Sequence, residues 1–237
     1  MFRVAIIFPL LFLLASCGTK TTTEKILPSQ WEDFGYLPYD TESLIYLNPD
    51  NLKKSDYPFE KFAEVVQEDS SNSWISKFEE ETGISLNKGV EEIFIAVAEN
   101  GQNVFLVRFD ENYKKVRAYF NKSPVFSKNE IGDKEIFTLK QNPSAQMYFP
   151  NKSVLLFSKG KSLFQSLITD KGKRLKDNDK FISIIKNIKS KHNVWMASDK
   201  GAVVAELFNQ FAGKDSKLLS PEILSSINNF SLSAEFS

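Results

Sequence analysis

The chain alternates between short stretches with apolar residues at every second position and longer stretches with apolar residues at helical spacing. The clearest strand pair is at 93–98 and 104–109, because these apolar runs flank Asn100 and Gly101, a dipeptide preferred in type I′ hairpin turns. The strictest alternation is at 230–236, which predicts a last strand with one buried and one solvated face. Its apolar positions are Phe230, Leu232, Ala234 and Phe236, and its polar positions are Ser231, Ser233 and Glu235.

Helical spacing of apolar residues predicts several helices between these strands. Together the two patterns predict an α+β fold, a mostly antiparallel sheet with helices packed on it. The segments 43–98 and 193–236 share the order strand, turn, helix, strand, so a degenerate internal repeat is expected. The other strands are predicted at 43–48, 126–128, 135–139, 145–149, 154–157 and 194–197. The helices are predicted around 59–66, 74–83, 113–120, 163–168, 181–188 and 203–211.

The N-terminal residues have the pattern of an export signal. Arg3 is followed by the apolar run 4–15, which is interrupted by Pro9 and is too short to span a bilayer as a helix. The run ends in Leu14, Ala15, Ser16 and Cys17.

This four-residue motif resembles the lipobox of bacterial lipoproteins. The resemblance implies cleavage before Cys17, transfer of a diacylglyceryl group to its thiol and acylation of its new amine. We therefore expect a signal peptide at 1–16, an acylated Cys with a flexible tether at 17–30, and a single α+β domain at 31–237. Gly18 in place of Asp implies the outer membrane by the sorting rule of Gram-negative lipoproteins. Because 18–23 contains no acid, the periplasmic face is favoured, with the cell surface as the alternative.

Composition and charge exclude several classes of site. One Cys excludes a disulfide framework, and one His excludes a site built from several His ligands. The 30 basic and 30 acidic residues balance, which argues against nucleic acid as a partner. Charge is nevertheless uneven, since 57–99 is acidic and 159–191 is basic. We interpret both stretches as solvated surfaces; the alternative is a basic face that rests on anionic headgroups or on an acidic partner.

The motifs that could support catalysis are incomplete. Gly160, Lys161 and Ser162 lack the earlier glycine of a phosphate-binding loop, since Leu155 occupies its position. Two Ser-x-x-Lys pairs, at 158–161 and 183–186, lack the partner motifs of serine acyl-transferases. We predict no catalytic, cofactor-binding or metal-binding residue. The remaining polar residues that could support chemistry are His192 and the carboxylates Glu79, Glu80, Glu81, Glu91 and Glu92. We interpret the segment Asp177, Asn178 and Asp179 as a helix cap.

A second resemblance lies in the folded part. Residues 36–48 read YLPYDTESLIYLN, and they are followed by the Gly83 and Ile84 pair and then by the hairpin. This order is similar to cell-envelope lipoproteins of unknown function over 37–109. The resemblance implies a fold and no chemistry.

Three functions follow as hypotheses. The first is a membrane-anchored, non-enzymatic interaction or structural module of the cell envelope, with the membrane as partner through Cys17 and an envelope protein or lipid as a further partner. The second is a carrier of a lipid or another hydrophobic ligand, for which the 21 Phe residues would line a pocket; we interpret them as core instead. The third is a hydrolase that uses two Asp or Glu side chains in a cleft.

Overall fold

The computed structural model describes residues 28–49, 73–85, 88–110, 113–169, 172–186, 188, 194–200 and 230–234. The predicted helices at 59–66 and 203–211, the lipobox with Cys17, and His192 lie outside these residues. The described helices are α1 (Pro28–Asp33), α2 (Ser73–Thr82), α3 (Tyr113–Lys122), α4 (Lys161–Thr169) and α5 (Asp179–Ile185), with short 3-10 turns at Phe34–Tyr36 and Leu175–Asp177. The described strands are β1 (Thr41–Leu47), β2 (Val90–Ala98), β3 (Asn103–Phe109), β4 (Phe126–Ile131), β5 (Lys134–Leu139), β6 (Asn142–Tyr148), β7 (Val154–Ser158), β8 (Val194–Ser198) and β9 (Phe230–Ala234).

These nine strands form one sheet in the order β4-β5-β6-β7-β3-β2-β1-β8-β9. Every neighbouring pair among them is antiparallel. The predicted α+β class with an antiparallel sheet is therefore confirmed. The strand pairs β1–β2 and β8–β9, which come from the two segments of the expected internal repeat, lie side by side because β1 pairs with β8. The repeat itself stays a prediction.

Alternating residues of the central strands point to opposite faces of the sheet, and each face carries its own core. The first face packs against α1, α4 and α5, and the second face packs against α2 and α3. Phe side chains are prominent in both cores, in agreement with their interpretation as core residues. The buried Phe residues are Phe34, Phe94, Phe164 and Phe181 on the first face and Phe109, Phe120, Phe126, Phe137 and Phe149 on the second.

The hairpin at Asn100 and Gly101 is confirmed, but its turn is wider than predicted. The Ala98 amide donates to the carbonyl of Gln102, and the Gly101 amide donates to the carbonyl of Ala98. The loop therefore has three residues and ends on Gly101 at φ 73°, as in a type I turn followed by a left-handed residue. The Asn100 side chain stabilises this form because its Oδ1 accepts from the Gln102 amide.

The chain is helical earlier than the expected tether boundary. We assigned 17–30 to a flexible tether, whereas Pro28 already belongs to α1 and Gln30 is buried. Proline fits the first turn of a helix because its fixed φ suits that position and its missing N–H is not needed there. The segment that leads from Cys17 thus enters the fold through a helix.

Candidate functional site

The end of α1 is attached to the sheet by a buried ion pair. Asp33 is the last residue of the helix, and its side chain is 0% exposed. Arg108 of β3, whose side chain is 14% exposed, donates from Nε to Asp33 Oδ2 at 3.2 Å and from Nη2 to Oδ1. The pair joins residues far apart in sequence and fixes the N-terminal helix on the first face.

A second carboxylate approaches the same guanidinium. Glu92 Oε2 lies 3.4 Å from Arg108 Nε, and the Glu92 side chain is 10% exposed. The Tyr46 hydroxyl donates to Glu92 Oε1 at 3.1 Å. Asp33, Tyr46, Glu92 and Arg108 are called the buried charge cluster below.

The strand register brings these residues together. Glu92 and Arg108 are direct partners across β2 and β3. On β2, Glu92 continues the alternation of Phe94 and Ala96, which point to the first face. On β3, Arg108 continues the alternation of Leu106 toward the same face. Sequence reasoning missed the cluster, although Arg108 at an alternating position of the predicted strand 104–109 was a usable signal. Glu92 lies one residue before the predicted strand 93–98, which in the structure begins at Val90.

Burial controls the ionisation of the cluster. It raises the pKa of Asp33 to about 6, even though the hydrogen bond and charge of Arg108 act in the opposite direction. Burial also raises the pKa of Glu92, and burial together with the charge of Glu92 raises the pKa of Tyr46. Burial alone would lower the pKa of Arg108, but the hydrogen bond and charge of Asp33 raise it overall. Arg108 therefore remains charged while its two carboxylates are harder to ionise than in water.

This arrangement is suited to holding an element in place. A hydrolase of the hypothesised kind needs two carboxylates that face a substrate in a cleft. Asp33 and Glu92 are both buried and both face the guanidinium of Arg108, so the substrate would have no access to them without displacing that side chain. The cluster is a clasp between α1 and the sheet.

The residues of the phosphate-loop-like motif have structural roles. Gly160 is buried between β7 and α4, and its carbonyl accepts from the Phe164 amide in the first turn of the helix. Its amide donates to Ser158 Oγ at 3.0 Å. A Cβ atom at Gly160 would lie 2.6 Å from the Gln102 side chain, so close packing explains the glycine. Lys161 and Ser162 are exposed.

The remaining polar candidates are dispersed. Ser183 Oγ donates to the Lys180 carbonyl on α5, and Lys186 is exposed at the end of that helix. Asn178 caps α5 by accepting from the Phe181 amide at 3.0 Å, which confirms the helix-cap interpretation. Glu80, Glu81 and Glu91 are exposed, while partial burial raises the pKa of Glu79.

The described residues contain neither a cluster of metal-ligating side chains nor a helix that could cross a membrane. Within those ranges, no three His, Cys, Asp or Glu side chains are grouped so that they could hold a metal ion. In the same part of the chain, no helix is long and apolar enough to cross a membrane.

Comparison with solved structures found similarity to three crystal forms of one protein, among other matches. The chain is similar to TP0453, a membrane-associated lipoprotein of Treponema pallidum. Crystal form IV has 9% identity and a TM-score of 0.43, covering 75% of this chain and 70% of that one. Form III has 10% identity and a TM-score of 0.43 (74% and 67%), and form I has 10% identity and a TM-score of 0.46 (74% and 66%). No family model and no curated protein sequence matches the chain.

Proposed function

We propose that the protein is a lipid-anchored cell-envelope lipoprotein that acts as a non-enzymatic interaction or structural module, held at the periplasmic face of the outer membrane. The observation that carries this proposal is the lipobox ending at Cys17, placed so that only residues 18–27 separate the acylated residue from α1. Ten residues span at most about 35 Å even when fully extended. The domain is therefore held near the lipid headgroups.

The buried charge cluster supports the proposal because it fixes the anchored end of the domain. Asp33 closes α1 onto Arg108, and the following Phe34 packs against Phe94 with ring centroids 5.6 Å apart. A tether that enters through a clasped helix sets which side of the domain is nearest the membrane. The role we assign is to present a fixed surface to an envelope partner.

The experiment is lipidation of a Cys17→Ala variant in cells that process lipoproteins. The variant lacks the acceptor thiol, so labelled fatty acid should not enter it, whereas the native chain should be labelled and fractionate with membranes. Ser16→Ala is the matched control, since it keeps a small residue before the Cys and should still be labelled. Labelled fatty acid in Cys17→Ala would contradict the proposal.

One observation favours the alternative function, a carrier of a lipid or another hydrophobic ligand. A band of apolar side chains on the second face, one from each of the adjacent strands β7, β3, β2, β1 and β8, is only partly buried. Native mass spectrometry of the purified protein separates the two functions, because a carrier copurifies with lipid and a module without a ligand does not. The band consists of Ile45, Ile95, Val107, Phe157 and Val194.

A further inference from the structure

Two large aromatic side chains are exposed in the described part of the chain, and both lie in the segment 28–40 that precedes β1. Trp31 on α1 is 41% exposed, and Tyr39, just before β1, is 40% exposed. Most other described aromatic side chains are packed into the two cores. Trp and Tyr are enriched where a membrane meets water, because their rings are apolar and carry one polar group.

One lysine side chain lies over the Tyr39 ring, and a second lies against the turn that follows α1. The Lys173 ammonium is 5.4 Å from the centroid of the Tyr39 ring. Lys176 covers Gly35, since a Cβ atom there would lie 3.6 Å from the Lys176 ammonium. Gly35 lies in the 3-10 turn that directly follows the helix of Trp31.

The two segments that carry these side chains are fixed to one another. The Leu175 amide donates to the Leu37 carbonyl at 3.1 Å, and Asn178 Nδ2 donates to the Tyr39 carbonyl at 2.9 Å. Pro38 and Arg174 form an antiparallel bridge. Trp31, Tyr39, Lys173 and Lys176 therefore form one preformed surface, called the tether-side patch below.

The surroundings of the patch have a net positive charge. The described residues between 159 and 186 carry seven basic side chains against Asp177 and Asp179. Glu32 and Asp40 are exposed on the neighbouring N-terminal segment, and Asp199 forms an ion pair with Lys180, so these residues together carry a net charge of +2. A cationic surface is attracted to anionic headgroups, and the short tether raises the effective concentration of the bilayer at the patch.

We propose that the tether-side patch rests on the headgroup region of an anionic phospholipid bilayer, with Trp31 and Tyr39 at the interface and Lys173 and Lys176 against lipid phosphates. The inference rests on the proposed function, because the acylated Cys17 brings the patch to the membrane. It adds an orientation: the first face with α1 lies toward the bilayer, and the second face is available to partners.

The test uses the acylated protein in vesicles of phosphatidylcholine with or without phosphatidylglycerol. Flotation of the vesicles measures anchoring, and quenching of tryptophan fluorescence by brominated lipids measures insertion of the patch. The Trp31 signal is the difference between the native protein and Trp31→Phe. With phosphatidylglycerol, lipid quenching of Trp31 should be about twofold greater or more than without it, because anionic lipid attracts the lysines.

Two double charge-reversal variants test whether the lysines of the patch cause the extra quenching. Lys173→Glu with Lys176→Glu should remove the extra quenching while the protein still floats, and Lys114→Glu with Lys115→Glu on α3 should retain it. A protein that floats with Trp31 unquenched in both lipids overturns the patch alone and leaves an acidic protein as its partner. A protein that does not float overturns the anchor and the patch together.

Discussion

Arg108 is one cation between two buried carboxylates, so the energetics of the cluster depend on it more than on either acid. Removing one partner of a buried ion pair costs about 3–5 kcal/mol when the other charge is left without compensation. Arg108→Gln leaves Asp33 and Glu92 buried without the cation that favours their charged forms, so at neutral pH each must either stay charged without that partner or take up a proton. We expect a loss on the order of 3 kcal/mol in the free energy of unfolding at pH 7.5. At pH 5 the variant should regain much of the lost stability, because the carboxylates become protonated. Urea unfolding at both pH values measures the free energy of unfolding.

Asp33→Asn is the matched variant. It leaves Arg108 paired with Glu92, so its stability at pH 7.5 should be within about 1 kcal/mol of the native protein. The pKa of Asp33 is raised to about 6 from 3.8, so its contribution to stability is fully present below about pH 4 and is lost as the pH rises through 6. Asp33→Asn should remove that part of the pH dependence. An Arg108→Gln protein as stable as the native one at pH 7.5 would show that the cluster is not a clasp.

Gly101 is a second position where one residue decides local structure. Its φ of 73° lies in the left-handed region, and a Cβ atom there would meet nothing within 4 Å. The cost of a side chain is therefore backbone strain and not a clash. Gly101→Val should destabilise the domain by about 1 kcal/mol or more, and Gly101→Asn by less, because Asn tolerates this conformation. Equal melting temperatures for Val and Asn would contradict this assignment of the turn.

At the scale of elements, the last strand tests the alternation derived from sequence. β9 pairs with β8, and Leu232 is the register partner of Met196. Ser231 is exposed, as the alternation predicts. Burial of a Leu side chain stabilises by about 1.5–3 kcal/mol, so Leu232→Asp should strongly destabilise the domain. Ser233 pairs with the buried Trp195, on the same side of β9 as the exposed Ser231, and the alternation predicts that Ser233→Asp is tolerated better than Leu232→Asp.

Thermal unfolding of the two variants measures the difference. The reverse order of stability would place the strand in the other register. Equal tolerance of both substitutions would mean that β9 contributes nothing to stability.

Most individual elements were predictable from sequence because their signals are local. Gly83 ends α2 with φ 68°, and Gly132 with φ 63° begins the two-residue turn between β4 and β5. The three-residue hairpin loop was not predicted, because the Asn100 and Gly101 pair suits either loop length. The helix at Pro28 was missed because its surroundings are polar and its stabilising contacts lie elsewhere in the chain.

At the scale of the whole molecule, the sheet order and the buried charge cluster depend on contacts between distant parts of the sequence. β3 lies between β2 and β7, and β1 lies between β2 and β8, and no local pattern specifies those neighbours. Asp33 meets Arg108 only after that order is established. The candidate site could therefore be found from the structure, whereas Cys17 could be found from the sequence alone.

Both proposals depend on attachment of the protein to the membrane through Cys17. Intact mass spectrometry of the native protein, extracted with detergent from membranes of cells that process lipoproteins, tests it most directly. We expect the mass of residues 17–237 with a diacylglyceryl group on the Cys17 thiol and an acyl chain on its amine. The mass of the uncleaved chain, or of a cleaved chain with an unmodified Cys17, would contradict attachment through Cys17.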